Sequence, residues 1–243
     1  MRVAVVTVGD ELLSGDTVNT NASWLCNRLD DRGVTVERIT TVPDRVADIA
    51  RVVNEYRAEY DAVLVTGGVG PTHDDVTMDG VATAFGRPVV PNEAAAAWID
   101  EHGDYTVSDL TEGTTHLPEG ARFLRNPEGV APGAALDSVY VLPGVPDEMK
   151  AMFETVAGEF AGERGSVEEV HTSEPESALI DRLDGVQERF DVSVGSYPGD
   201  SVRLKIRGTD PATARAAADW LRERVDLATE VEQPEQGDAE TSE

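Results

Sequence analysis

A single cysteine, Cys26, occurs in the sequence, so no disulfide can close within the chain, and a reducing cytoplasm is the expected compartment. No apolar run approaches the length needed to cross a bilayer, so no membrane partner is expected. The opening MRVAVVTVGDELL lacks the long apolar stretch and small-residue cleavage site of a signal peptide and reads as a strand. Lysine is nearly missing: Lys150 and Lys205 are the only two. A P-loop needs a glycine-rich turn followed by Lys-Ser or Lys-Thr, and no lysine precedes Lys150. The histidines show no ligand spacing, which argues against zinc, and no Ser-His-Asp or Cys-His arrangement is evident. There is no internal repeat.

Positive charge is the largest shortage. Twenty basic residues face 47 acidic ones, for a formal net charge of -27. Such a surface repels nucleic acid, so no nucleic-acid partner is expected. The acidic residues are spread over every segment, the pattern of a salt-accumulating halophile whose ionic strength screens self-repulsion. The charge then describes the solvent more than the ligand.

Two periods alternate in the first half. Val3–Val8, Val34–Val42 and Ala62–Thr66 are β-branched strand patterns, and residues 20–32 and 44–59 carry helical spacing, with Gly33 closing the first helix. Later patterns predict helices from Asp79 to Phe85, through PNEAAAAWIDEH and from Asp147 to Phe160, with strands at Ala121–Leu124 and Ala135–Leu142. Strand–helix alternation predicts an α/β fold, a mainly parallel sheet with helices on both faces, whose ligands sit beyond the carboxyl ends of the strands. After a glycine-rich linker at 158–166 the order changes. Strand Glu168–Thr172, helix Glu174–Phe190, strands Val192–Tyr197 and Val202–Arg207 and helix Ala212–Val225 predict a separate small α+β unit. The expected domains are 1–162 and 167–228, followed by an acidic disordered tail at 229–243.

The predicted strand ends carry the chemistry. The first runs into Gly9, Asp10 and Glu11, the second into Pro43 and Asp44, and the third into TGGVGPTHDD at 66–75. The dinucleotide fingerprint fails there, because His73 stands where its third glycine belongs. What remains is a turn at Gly67, Gly68 and Gly70 whose backbone can face an anion, opening toward a helix start near Thr77. Asp74, Asp75 and Asp79 would repel a phosphate placed there. A divalent cation such as magnesium resolves the conflict by bridging carboxylates to phosphate oxygens. The residues fit equally well an acidic helix start that serves only as a cap and dipole partner.

Four motifs occur in order: GDELLSGDTVNTN at 9–21, TGGVGPTHDDVT at 66–77, NPEGVAPG at 126–133 and LPGVPDEM at 142–149. Together they resemble the N-terminal part of the CinA proteins, within the wider molybdopterin-binding MoaB/Mog domain family. Residues 168–226, with SEPESAL and SYP, resemble the small KH-type middle domain of the same proteins. The resemblance implies a three-layer α/β/α domain, often oligomeric, that binds a nucleotide or molybdopterin-like phosphate at the sheet rim. It also implies ADP-ribose pyrophosphatase activity, with Asp75 and Asp44 matching the family's catalytic, metal-using aspartates. The deamidase domain of longer CinA proteins has no counterpart among these residues, so deamidation is not expected.

On these grounds Asp75 and Asp44 are the catalytic candidates, and Asp75, Asp44 and Asp10 the candidate metal ligands, with Glu11 beside them. Gly67, Gly68, Gly70 and Thr77 are candidate phosphate contacts, and Gly144, in LPGVP before a helix with Pro146 near its start, marks a second anion site. Asn126, Gly129 and Gly133 are candidates for the base or pterin pocket, whereas Asn19 and Asn21 fit ligand contact and helix capping alike. The expected function is a metal-dependent nucleotide pyrophosphatase on ADP-ribose-like substrates. The alternatives are molybdopterin binding or adenylyl transfer, and a non-catalytic nucleotide binder. RNA binding by the small unit is disfavoured because its YPGDSV loop is acidic rather than a basic GXXG.

Overall fold

The computed structural model describes residues 1–102, 113–162 and 165–228. The chain forms two compact units, Met1–Glu163 and Arg164–Glu243. The tail expected at 229–243 lies outside the described residues.

In the first unit the elements run β1 (Arg2–Val8), α1 (Asp10–Ser14), α2 (Thr20–Asp30), β2 (Thr35–Val42), α3 (Val46–Glu59), β3 (Ala62–Thr66), α4 (Thr77–Ala84) and β4 (Val89–Pro91). They continue with α5 (Glu93–His102), β5 (His116–Pro118), β6 (Arg122–Leu124), β7 (Gly133–Leu136), β8 (Val139–Leu142) and α6 (Pro146–Val156). The sheet order is β2-β1-β3-β8-β7-β6. The pairs β1–β2, β1–β3 and β3–β8 are parallel, and β7 pairs antiparallel with both β8 and β6.

Apolar residues on both parities of each central strand explain the layers, because a strand buried on two faces must be apolar throughout. Val3, Val5, Leu64 and Leu142 pack with Leu25 and Leu29 of α2 and Met152 and Phe153 of α6. Their neighbours Ala4, Val6, Val63, Val65 and Val141 face the other way, onto Ile49 and Val53 of α3 and Val81 of α4. Each fully buried Leu, Val or Phe contributes about 1.5–3 kcal/mol. The result is the α/β/α sandwich of the sequence reading.

Three expectations need correction. Residues 135–142 are a hairpin, not one strand: Leu136 pairs with Val139, and Asp137 adopts φ 50°, a left-handed value that Asp tolerates better than most residues. The helix expected at 147–160 stops at Val156 and tightens into a 3-10 turn at Ala157–Glu159. The helix expected at 174–190 is likewise split, because Pro175 leads into a short 3-10 turn and the α-helix starts only at Ile180. The two-stranded sheet β4–β5 was not anticipated, since three-residue strands leave no periodic signal.

The second unit comprises β9 (Ser166–Thr172), α7 (Ile180–Arg189), β10 (Val192–Tyr197), β11 (Val202–Gly208) and α8 (Pro211–Arg222). Its antiparallel sheet has the order β10-β11-β9. Leu204 and Ile206 of β11 bury against Val186, Ala217 and Leu221 of α7 and α8. Arg182 clasps Glu174 through both carboxylate oxygens, at 2.7 and 2.6 Å, and Asp226 N–H donates to the same carboxylate.

Candidate functional site

The carboxyl ends of β1, β3 and β8 converge on one rim. Gly67, just past β3, takes φ 101°, and its backbone N–H donates to Leu142 O at the end of β8. A methyl group on Gly67 would stand 2.2 Å from the Val8 carbonyl oxygen, so only glycine lets β3 leave the sheet this close to β1. Gly144 lies on its other side, where a Cβ would come within 3.2 Å of Gly67 Cα. Asn21 ties the rim together: its Nδ2 donates to Gly144 O at 2.7 Å. Asn19 caps α2 through Ala22 N–H and also donates to Thr7 Oγ1. A cleft of about 230 Å³ opens here, lined among others by Gly67, Gly68, Gly144, Asn19, Asn21, Asp44 and Asp75.

Four carboxylates line the cleft, those of Glu11, Asp44, Asp74 and Asp75, and none of its lining residues is Lys, Arg or His. Asp44 follows β2 and accepts the Asp10 backbone N–H on Oδ2 at 2.8 Å. Its Oδ1 faces Gly68, 3.3 Å from where a Cβ would stand. Burial pushes the Asp44 carboxyl above its ordinary value, and the charges of Asp10, Glu11 and Asp74 push the same way against the Asp10 hydrogen bond. Asp75 folds the turn after Gly70: its Oδ2 accepts Thr72 N–H at 2.8 Å and Thr72 Oγ1 at 2.6 Å. Thr72 Oγ1 also lies 2.6 Å from Asp74 Oδ1, and this contact holds the Asp74 carboxyl below its usual range.

The structure thus brings Gly67, Gly68, Gly144, Asp44 and Asp75, with Glu11, Asn19 and Asn21, to one cleft and leaves Asp10, Gly70, Thr77, Asn126 and Gly133 outside its lining. Asp10 reaches it only indirectly, since its backbone N–H positions Asp44 and its own side chain is not among the lining groups. Gly70 sits beneath Asp75, whose Oδ2 lies 2.7 Å from the position of a Cβ, and lines a neighbouring depression. Thr77 is fully buried; its hydroxyl donates to Gly67 O and its N–H to Gly68 O, so it shapes the turn rather than meeting a ligand. Asn126 is also committed: Nδ2 donates to Ala131 O and Glu148 Oε2, while Oδ1 accepts Glu128 N–H. Gly133 lies under α6, where a Cβ would strike Met152 Sδ and Val141 O. The second anion site is opposed by Asp147 and Glu148 in the first turn of α6.

Sequence reasoning missed Thr7, Thr17, Val18 and Thr66 as lining residues. Thr7 and Thr66 carried a readable signal, a lone polar residue near the C-terminal end of an otherwise apolar strand. Among the described residues no three His, Cys, Asp or Glu side chains converge to hold a metal ion, so Asp10, Asp44 and Asp75 do not form a complete cage. No helix among the described residues is long and apolar enough to cross a membrane.

This α/β/α unit with its glycine rim matches a family model. Residues 4–161 match the probable molybdopterin binding domain, and the chain belongs to that family. Residues 166–233 match the middle domain of FAD synthase. A protein of Archaeoglobus fulgidus is 36% identical over 92% of this chain and 97% of its own length. A CinA-like protein of Citrifermentans bemidjiense is 35% identical over 93% of this chain and 58% of its own length. Among solved structures, CinA of Thermoplasma acidophilum, itself described as of unknown function, is 34% identical with a TM-score of 0.61, covering 66% of this chain and 99% of that one.

Proposed function

We propose that the rim cleft binds the phosphates of a nucleotide together with a divalent cation and hydrolyses a phosphoanhydride of the ADP-ribose class. The observation that carries this reading is the charge of the lining: four carboxylates and no basic side chain stand beside the Gly67–Gly68 turn. A bare pyrophosphate would be repelled there, so a cation must enter with it. The donor set fits magnesium, which takes one or two carboxylates and completes its shell with phosphate oxygens and water. Asp44 and Asp75 are the carboxylates for that role. Bound, the cation would neutralise charge on the phosphates and make phosphorus more open to attack.

The chain's own part is orientation and proton transfer. Gly67 and Gly68 let the phosphates approach the backbone, and the clasp of Thr72 fixes Asp75 toward the cleft. Asp44 Oδ2 is held by the Asp10 N–H, which leaves Oδ1 to take a proton from the attacking water. The water oxygen bonds to phosphorus, the bridging P–O bond breaks, and two phosphate monoesters leave.

A second reading, adenylyl transfer to a pterin phosphate, is favoured by the description of the matched family as molybdopterin-binding. The deciding experiment incubates the protein with ADP-ribose in molar potassium chloride, with and without magnesium. Magnesium-dependent release of AMP and ribose 5-phosphate supports hydrolysis. Tight binding without turnover would reduce the site to a binding module.

A further inference from the structure

The first unit keeps large apolar side chains inside almost everywhere. Among the described residues it leaves four exposed: Leu13 at 53%, Val18 at 79%, Ile39 at 50% and Val145 at 55%. One of these four lines the rim cleft, and two more are next in the chain to residues that line it. Val18 lines it directly, Leu13 follows the lining residue Leu12, and Val145 stands between the lining residues Gly144 and Pro146. The Asn21–Gly144 hydrogen bond holds the segment carrying Val18 against the turn carrying Val145. Val18 takes no part in the core, and an isolated exposed valine would need no explanation, but an exposed valine in the lining with two more exposed apolar residues next in the chain to lining residues does.

Size indicates what they meet. At about 230 Å³ the cleft is smaller than the roughly 300–1,000 Å³ that encloses a drug-sized ligand. A nucleotide or pterin phosphate with its charged end at Gly67 and Asp44 must therefore project from the cleft, past the exposed lining residue Val18. We infer that Val18, flanked by Leu13 and Val145, forms an apolar platform for the planar heterocyclic ring of the phosphorylated ligand. The inference rests on the reading of the cleft as a phosphate site and assigns the ring its own subsite, made by residues that take no part in the chemistry. Aliphatic contact with a ring face is non-directional, so the platform supplies affinity, and specificity for ring-bearing over ringless phosphates, without choosing between purine and pterin.

Calorimetric titration of the full chain in molar potassium chloride with magnesium tests it. The probes are ADP-ribose and a pterin monophosphate, which carry rings, and inorganic pyrophosphate, which carries none. Val18→Ser combined with Val145→Ser should weaken whichever ring-bearing probe the wild type binds by about tenfold or more, the loss expected for one to two exposed apolar contacts, and leave pyrophosphate unchanged. The variant should stay folded, because both positions are exposed and position 145 is the N-cap of α6, where serine is favoured. An equal loss for pyrophosphate, no loss for the ring-bearing probes, or wild-type binding of neither would overturn the platform. Because binding alone is read, wild type that holds ADP-ribose without cleaving it refutes hydrolysis and still lets the titration judge the platform.

Discussion

Replacing Gly67 with alanine tests whether the rim depends on one close approach. Two costs can be separated. Gly67 sits at φ 101°, where an L side chain is strained by about 1–2 kcal/mol. Its new methyl would also lie 2.2 Å from Val8 O, more than an ångström inside ordinary contact, and relieving that overlap means moving a strand end. Overpacking of this kind costs about 1–3 kcal/mol. The sum, about 2–5 kcal/mol, is a large part of a typical stability of roughly 5–15 kcal/mol. At about 2–4 °C per kcal/mol for a domain of this size, the melting point should fall by roughly 4–20 °C. Gly15→Ala is the control, since Gly15 has φ 82° with nothing within 4 Å of a Cβ and should show the strain alone, about 1–2 kcal/mol. Differential scanning calorimetry in molar potassium chloride compares the two, with ADP-ribose titration on the folded fraction. Gly67→Ala should melt lower than Gly15→Ala and lose ligand binding. If the two variants melt together, the contact with Val8 is not what reserves this position for glycine.

Asp75→Asn should lower magnesium-dependent turnover by roughly 10²–10⁴ while costing only about 1 kcal/mol, because Asn keeps an acceptor for Thr72 but loses the charge assistance; wild-type turnover would make Asp75 a turn former only. Asp44 titrates above the ordinary aspartate value, so its ionisation opposes folding: this contribution falls as pH rises through its unfolded and then its folded pKa. Asp44→Asn should accordingly raise the melting point at pH 7 and abolish turnover, and an unchanged or lower midpoint would contradict the burial argument. Arg182 and the Asp226 amide hold Glu174 below the usual glutamate range, so the second unit should lose stability as pH falls from the unfolded glutamate value toward the folded one; Glu174→Gln should flatten the acid limb of hydrogen exchange in residues 170–190. With 47 acidic against 20 basic residues, the midpoint should climb steadily from dilute buffer to molar potassium chloride, and a flat response would exclude charge screening as the reason for the composition.

The central strands were legible because a parallel sheet under two layers of helices demands unbroken apolar runs, and VAVVTV and AVLVT supply them. Gly67, Gly68 and Gly144 were legible because a sharp exit from a strand end needs glycine. The hairpin at 133–142 was hidden, since AALDSVYVL interrupts its apolar run at only two positions. Asn126, Gly133 and Thr77 misled for a common reason. Motif position marks a residue as necessary to the rim, but a side chain that braces a loop and one that touches a ligand look alike in sequence. Only the hydrogen bonds of Asn126 and the packing of Gly133 beneath Met152 distinguish them.

The turn at Asp137–Ser138 has a consequence for chain direction. After β3 the chain passes through α4 and α5 and enters the far border of the sheet at β6 and β7 rather than running straight into β8. By doubling back after four residues of β7, the chain instead reverses and lays β8 alongside β3, pointing the same way. It therefore arrives at Gly144 on the same edge where β3 arrives at Gly67, having passed first through the antiparallel border of the sheet. The β8 end of the rim is delivered by a two-residue reversal whose cost is one aspartate in a left-handed conformation. Lengthening that turn by a single residue would change the phase of β8 and carry Gly144, with its hold on Asn21, out of step with the rest of the rim.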